Sequence, residues 1–185
     1  MDEANMIPSP IFKTRVEQIA GASSSPCYQC HRCTAGCPMV FAMDLTPAQF
    51  VHALRLGDEE KVLHSDTIWV CLSCETCTTR CPQEVDVDKL LMAARIVAKE
   101  QGIVPTITEI PNFYESYMEN MYLYGRIGEL PFIVTLKLKE QNFFDDFALG
   151  LQLLSRGRLN LLDLPKGGAT YRELYKRTME KEESQ

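Results

Sequence analysis

Outside two short stretches this 185-residue chain contains no cysteine at all. It also lacks a long apolar run. Every candidate is broken by charge or glycine within a few residues, short of the ~20 apolar residues a membrane-spanning helix needs, so no span is expected. Positive charge is in short supply: 19 Lys and Arg against 25 Asp and Glu leave a formal net charge of −6. Such a surface offers no general attraction to phosphate backbones, which disfavours nucleic acid as a partner. The opening Met1-Asp2-Glu3-Ala4-Asn5-Met6-Ile7-Pro8 is acidic and has neither the basic nor the apolar part of a secretory signal, so a cytoplasmic, reducing compartment is the expectation. No glycine-rich phosphate loop and no pairing of a nucleophile with a base is visible. No catalytic residue is therefore assigned, and no substrate pocket is expected in this chain. What remains is a composition of 45% hydrophobic and 24% charged residues, ordinary for a folded soluble protein.

The eight cysteines are all spent on one pattern used twice. The first copy runs Cys27-Tyr28-Gln29-Cys30-His31-Arg32-Cys33-Thr34-Ala35-Gly36-Cys37-Pro38, the second Cys71-Leu72-Ser73-Cys74-Glu75-Thr76-Cys77-Thr78-Thr79-Arg80-Cys81-Pro82. Both read C-x2-C-x2-C-x3-C-P, the ligand run of paired cubane iron–sulfur clusters. Three thiolates at two-residue gaps wrap one cube, and the fourth, three residues on and followed by proline, is carried to the other cube. By that rule one [4Fe-4S] cluster takes Cys27, Cys30, Cys33 and Cys81. The second [4Fe-4S] cluster takes Cys71, Cys74, Cys77 and Cys37. Zinc fits less well, because structural zinc sites use two separated pairs of ligands around one tetrahedral ion and would leave cysteines over. Disulfides are disfavoured without a secretion signal. Small and hydroxyl residues within the runs (Thr34, Ala35, Gly36, Ser73, Thr76, Thr78, Thr79) are expected to let backbone amides approach the inorganic sulfurs, and Pro38 and Pro82 to stiffen the exits. His31 is expected at the surface rather than on iron, since eight thiolates already satisfy two cubes. Arg32, Arg80 and Lys89 lie near the runs and are candidates to offset cluster charge.

The rest of the chain reads as helix. Phe12, Val16, Ile19 and Ala20 share one helical face, with Gly21 as the stop. Thr46-Pro47 predicts an N-cap with proline at the first helical position, and Phe50, Ala53 and Leu54 give the apolar stripe that ends near Gly57. Asp58-Glu59-Glu60 starts another short helix, and Ser65-Asp66 caps a turn carrying Ile68, Trp69 and Val70 into Cys71. After Pro82 the strongest periodicity begins at Asp86, with Val87, Leu90, Leu91, Ala94, Val97 and Ala98 on one face and Gly102 as its close. Beyond Pro105 the character changes. Phe113, Tyr114, Tyr117, Met118, Met121, Tyr122 and Tyr124 form a stripe at roughly helical spacing, which predicts core rather than a cofactor box. Phe143 to Leu154 predicts a further amphipathic helix, Ser155-Arg156-Gly157-Arg158 a basic turn, and Tyr171 to Gln185 a charged, solvated helix or tail. Two domains are expected: 1–104 around the clusters, and 105–185 as a helical docking extension.

These motifs resemble a known family. Cys27 to Pro38, Met43-Asp44 with Pro47 downstream, Asp66-Thr67-Ile68-Trp69-Val70-Cys71 and Arg80-Cys81-Pro82 with Val85-Asp86 and Asp88 are similar to the C subunit of heterodisulfide reductase, over about Phe12 to Pro105. The resemblance implies a mainly α fold, an α-helical ferredoxin with two [4Fe-4S] clusters. It also implies an electron-relay role between a flavin-containing, iron–sulfur A subunit and a disulfide-handling B subunit. After Pro105, Tyr122 to Lys139 and Phe143 to Leu164 resemble bacterial relatives, including complexes of sulfur-oxidising bacteria in which sulfur is carried on a lipoylated protein. A lipoate-carrier partner and an oxidative direction are what that second resemblance implies. Glycolate oxidase and fumarate reductase carry related domains with further cysteine motifs that this sequence lacks. A free-standing dicluster ferredoxin remains an alternative, as do the iron–sulfur subunit of another oxidoreductase, such as a glycolate oxidase or fumarate reductase relative, and a structural or regulatory cluster protein.

Overall fold

The computed structural model describes residues 9–140, 152, 155, 156 and 168–183, and among them there is helix and turn but no strand. The chain divides into two compact units, Met1–Thr108 and Glu109–Gln185. The division follows Thr108, against the 104/105 boundary expected from sequence.

In the first unit, α1 (Pro10–Ala20) starts on Ser9, whose hydroxyl accepts from the Phe12 amide at 3.2 Å, and ends on Gly21 in the left-handed conformation. Phe12 and Val16 are buried, but Ile19, expected on the same face, is 41% exposed. The helix lies against only part of the core, so the third turn of its stripe reaches solvent. The two cysteine runs each begin a one-turn helix, α2 (Arg32–Gly36) and α6 (Thr76–Thr79). Between them, a 3-10 turn at Val40–Ala42 leads to α3 (Pro47–Leu56), α4 (Glu59–Leu63) and α5 (Thr67–Val70). Helix α3 has the full reciprocal cap: Thr46 Oγ1 accepts from the Gln49 amide, and Gln49 Oε1 accepts from the Thr46 amide at 2.9 Å. It ends on Gly57 at φ +70, where a Cβ would stand 2.8 Å from the Ser9 carbonyl oxygen. Helix α7 (Val87–Glu100) crosses the unit and packs on α1, α3, α4, α5 and α6. Val87, Leu90, Leu91, Ala94, Val97 and Ala98 are all buried, as the periodicity predicts. One core joins these side chains to Phe12, Val16, Phe50, Leu54, Leu63, Ile68 and Trp69 and includes Cys71 and Cys77.

The turn before α5 departs from expectation. Asp66 makes no side-chain cap there. The capping carboxylate comes from Asp44, which accepts from the Thr67 amide at 2.9 Å, the Asp66 amide at 3.3 Å and the Ser65 hydroxyl at 2.7 Å. Asp66 instead accepts from the Thr106 amide at 2.9 Å. Burial pushes the Asp44 carboxyl up, but the hydrogen bonds from Thr67 and Ser65 outweigh it and hold the group below the ordinary aspartate value. With the folded value below the unfolded one, the carboxylate adds stability at neutral pH that is lost as the pH falls below about 4. Asp44→Asn is expected to lower stability at pH 7, with the gap to the unsubstituted protein narrowing toward pH 3. Denaturant midpoints across that range check it, and a gap independent of pH would contradict it.

In the second unit, α8 (Glu109–Tyr124), α9 (Glu129–Glu140) and α10 (Gly168–Glu183) are the described helices. Helix α8 packs on both α9 and α10. Its buried residues are not the aromatic stripe. Ser116 and Asn120 are fully buried, and Asn120 Nδ2 donates to the Ser116 carbonyl at 2.9 Å. Phe113, Tyr114 and Met118 remain 44–47% exposed. The small polar face lets α9 come close, and Phe113 meets Phe132 edge-on at 5.2 Å along the flank. At the start of α10, Gly168 sits where a Cβ would collide with the Leu123 carbonyl oxygen. Most of Phe143 to Leu154 and the turn around Gly157 fall outside the described residues. The charged end is the exposed helix α10 through Glu183.

Candidate iron–sulfur site

Each cysteine run folds the same way, and the reason is conformational. Gln29 and Ser73, at the same place in the repeat, have φ 60 and 50; His31 and Glu75, two residues on, have φ 61 and 58. None is glycine, and a left-handed residue with a side chain costs about 1–2 kcal/mol. Turns of this kind build the amide-lined concavities found at phosphate and iron–sulfur sites. They are paired in both copies, so the conformation belongs to the repeat rather than to one loop. Backbone amides reach the thiols, among them Ser73 to Cys71 Sγ at 3.5 Å and Val85 to Cys81 Sγ at 3.3 Å.

All eight thiols are free of disulfides. Helices α2 and α6 pack on each other, and the Arg80 side chain lies over Gly36, where a Cβ would meet it at 2.7 Å. The residue before the fourth cysteine is thus arginine in one copy and, leaving room for that arginine, glycine in the other. A cavity of about 360 Å³, counting its open mouth, is lined by Cys71, Cys74 and Cys77 of the second run together with Cys37 of the first. Its remaining wall is Pro38, Met39, Met43, Pro47, Leu72, Thr76, Asp88 and Leu91. Cys37 Sγ is 3.9 Å from Met43 Sδ and within electrostatic reach of Cys71. Cys27 and Cys33 of the first run are within reach of each other, and Tyr28 is within reach of both Cys30 and Cys81. Among the described residues no three His, Cys, Asp or Glu side chains stand close enough to hold one metal ion. Four soft sulfur donors around an apolar space fit a cubane cluster.

Burial, followed by the Asp88 carboxylate, pushes the Cys77 thiol up to about 11. Burial also raises Cys33 and Cys71, while the Thr76 hydroxyl lowers the exposed Cys74. The buried thiols therefore need the positive charge of iron to be held as thiolates, which couples loading to proton release.

Two arginines at the site carry no signal in the cysteine spacing. Arg55 Nη1 donates to the Cys27 carbonyl at 2.5 Å, and Arg95 Nη2 to the Cys71 carbonyl at 2.9 Å. Each braces the first cysteine of a run. They are related residues: α3 and α7 align at a constant offset of 40, so that Ala48 matches Asp88, Val51 matches Leu91 and Arg55 matches Arg95. The threonines after the third cysteines agree. Thr34 Oγ1 accepts from the Ala48 amide in α3, and the Thr78 hydroxyl donates to Asp88 Oδ1 in α7. Run, turn and helix are thus duplicated as one unit. The signal was present in sequence as a second repeat offset by four residues from the cysteine repeat. His31 is exposed, as expected. Arg32 is exposed beside its run, and Lys89 pairs with Asp86 at 2.8 Å.

Comparison with known proteins bears on these residues directly. Residues 23–85 match the family described as a 4Fe-4S dicluster domain. This stretch is a 4Fe-4S dicluster domain. It spans both cysteine runs and the helical spacer, and its cofactors are two [4Fe-4S] clusters. The chain around the dicluster domain is similar to the C-type iron–sulfur subunit of the CoB–CoM heterodisulfide reductase of Methanopyrus kandleri, 32% identical over 102 residues, covering 55% of this chain and 51% of that one. The C2 subunit of the H2/formate:CoB-CoM heterodisulfide, ferredoxin reductase of Methanococcus maripaludis is 37% identical over 81 residues, covering 44% of each chain. An Archaeoglobus profundus protein named for its likeness to the C subunit of heterodisulfide reductase is 31% identical over 103 residues, 54% of each. The chain spans about half the length of the curated relatives it matches. No described helix is long and apolar enough to cross a membrane.

Proposed function

We propose that this chain is the electron-transfer subunit of a heterodisulfide reductase-like complex, working in the cytoplasm. The observation that carries the reading is a dicluster domain whose two runs are packed together, with no catalytic constellation beside them among the described residues. A [4Fe-4S] cluster supplies a one-electron couple. The chain's own part is to hold two of them: Cys27, Cys30, Cys33 and Cys81 around one, Cys71, Cys74, Cys77 and Cys37 around the other. The mixed cavity lining supports this crossed set. Arg55 and Arg95 keep each run in place, and the apolar wall limits water at the sulfurs.

On this reading residues 1–104 are the relay and 105–185 the docking extension, which the half-exposed Phe113, Tyr114, Tyr117 and Met118 support. The partners are a flavin-bearing A-type subunit and a B-type subunit that handles disulfide or other sulfur substrates. A lipoate-carrier protein in the same route is the further partner, with the chain serving sulfur oxidation. Purification through a tag on this chain, without oxygen, is expected to recover all three subunit types in fixed ratio. In the purified complex, reduction of the flavin should reach the B-type subunit only when this chain is present. Recovery of a monomer, or undiminished transfer without it, would overturn the proposal.

A further inference from the structure

The two halves of the duplicated unit are alike in backbone and unlike in charge. Arg55 and Arg95 occupy matching places and make matching bonds, so their charges cancel between the two sites. Other matching positions do not cancel. Where the first half has Arg32 and Ala48, the second has Thr76 and Asp88; where the first has His31 and Gln49, the second has Glu75 and Lys89, the last an exposed cation paired with Asp86. Asp88 is the exception to the chemistry of the core. It is 9% exposed, lines the cavity with Cys37, Cys71, Cys74 and Cys77, and accepts from the Thr78 hydroxyl. Its counterpart Ala48 is also buried and carries no charge. A buried charge acts on its neighbours with little screening by salt or water.

We propose that Asp88 sets the order of the two reduction potentials, making the site of the second run the harder of the two to reduce. The inference rests on the reading of that cavity as a cluster site. Adding one electron increases negative charge beside a carboxylate that cannot move away. Glu75 adds to the effect from beside Cys74, while Arg32, beside Cys33, favours the added electron at the other site. Asp88 is a tuning residue, not a ligand, and its hydrogen bond from Thr78 keeps the charge facing the sulfurs' side of α7. An electron entering the chain therefore comes to rest at the first run.

The test is a redox titration of the full chain loaded with both clusters, followed by EPR. Two one-electron steps are expected, and the lower should belong to the signal that Cys74→Ser alters. Asp88→Asn should make that step easier by at least tenfold in its equilibrium constant, about 59 mV for one electron, and leave the other step in place. Asp88→Glu should keep it low. If Asp88→Asn fails to load, Glu75→Gln should still raise the lower step and Arg32→Thr depress the higher one. No movement, equal movement of both steps, or a Cys74-linked signal at the higher potential overturns the inference. Failure of the crossed ligand set shows elsewhere, because Cys74 belongs to the second-run site with or without crossing. It would appear as iron loss from the wrong site in Cys37→Ser and Cys81→Ser. An iron content too low for two clusters in the unsubstituted chain would instead remove the cluster reading itself.

Discussion

Cys81→Ser is expected to remove about half the iron, and the EPR signal it abolishes should be the one that Cys30→Ser also abolishes. Serine cannot substitute, because its hydroxyl is a harder donor and is not ionised near neutral pH, whereas the thiolate is the form that binds iron. The expectation follows from where the chain goes after Cys77. The Val85 amide donates to the Cys81 sulfur at 3.3 Å, and Tyr28 of the first run is within electrostatic reach of both Cys30 and Cys81. Cys37→Ser should act in mirror image on the site of Cys71, Cys74 and Cys77. Iron and sulfide assays with EPR on anaerobically reconstituted protein decide the matter. Should Cys81→Ser share its lost signal with Cys74→Ser, each run holds its own cluster and the crossed set is wrong.

Phe50→Ala is expected to cost about 3–5 kcal/mol, the range for emptying a buried aromatic site. Phe50 is fully buried in α3, in a core it shares with Val16, Leu54, Leu90 and Val97. Small domains have only about 5–15 kcal/mol of total stability, so one such cavity removes a large share of it. The damage should extend to the site. Helix α3 carries Ala48, which donates to Thr34, and Arg55, which holds the Cys27 carbonyl, so loosening α3 frees the first run. Guanidinium unfolding followed by visible absorbance and by far-UV circular dichroism should show both transitions shifted to lower denaturant. A midpoint change worth less than about 1 kcal/mol would mean the core collapses around the missing ring.

The parts of this molecule legible in its sequence are those decided within a few residues of chain. Ligand spacing in Cys27–Pro38 and Cys71–Pro82 is local, since thiols at those short intervals let one loop wrap a cube. The Thr46 cap with Gln49, the stop at Gly57 and the stripe of α7 are likewise contacts between residues three or four apart. Where a partner comes from elsewhere in the chain, local reading failed. Asp66 looked like the cap of α5, but the carboxylate that does the capping is Asp44, more than twenty residues earlier. Ile19 shares a helical face with Val16, yet the core ends before it. The aromatics of α8 looked like core, while the fully buried positions of α8 are Ser116 and Asn120 and Phe113 meets α9 only along the flank, because close approach of helices favours small side chains over large ones.

By itself, then, the sequence determined the cofactor class, the helical character and the duplication of the cysteine run, all of which follow from spacing along the chain. Only the tertiary structure decided which residues face the runs from afar. It brought Cys37 to the wall of the second-run cavity, placed Arg55 and Arg95 on the first carbonyl of each run, and buried Asp88 where its counterpart is alanine. An arginine or aspartate on an amphipathic helix has the same local pattern whether it meets solvent or sulfur. Its neighbour is chosen by how α3 and α7 pack across the core, a property of the whole fold rather than of any stretch of it.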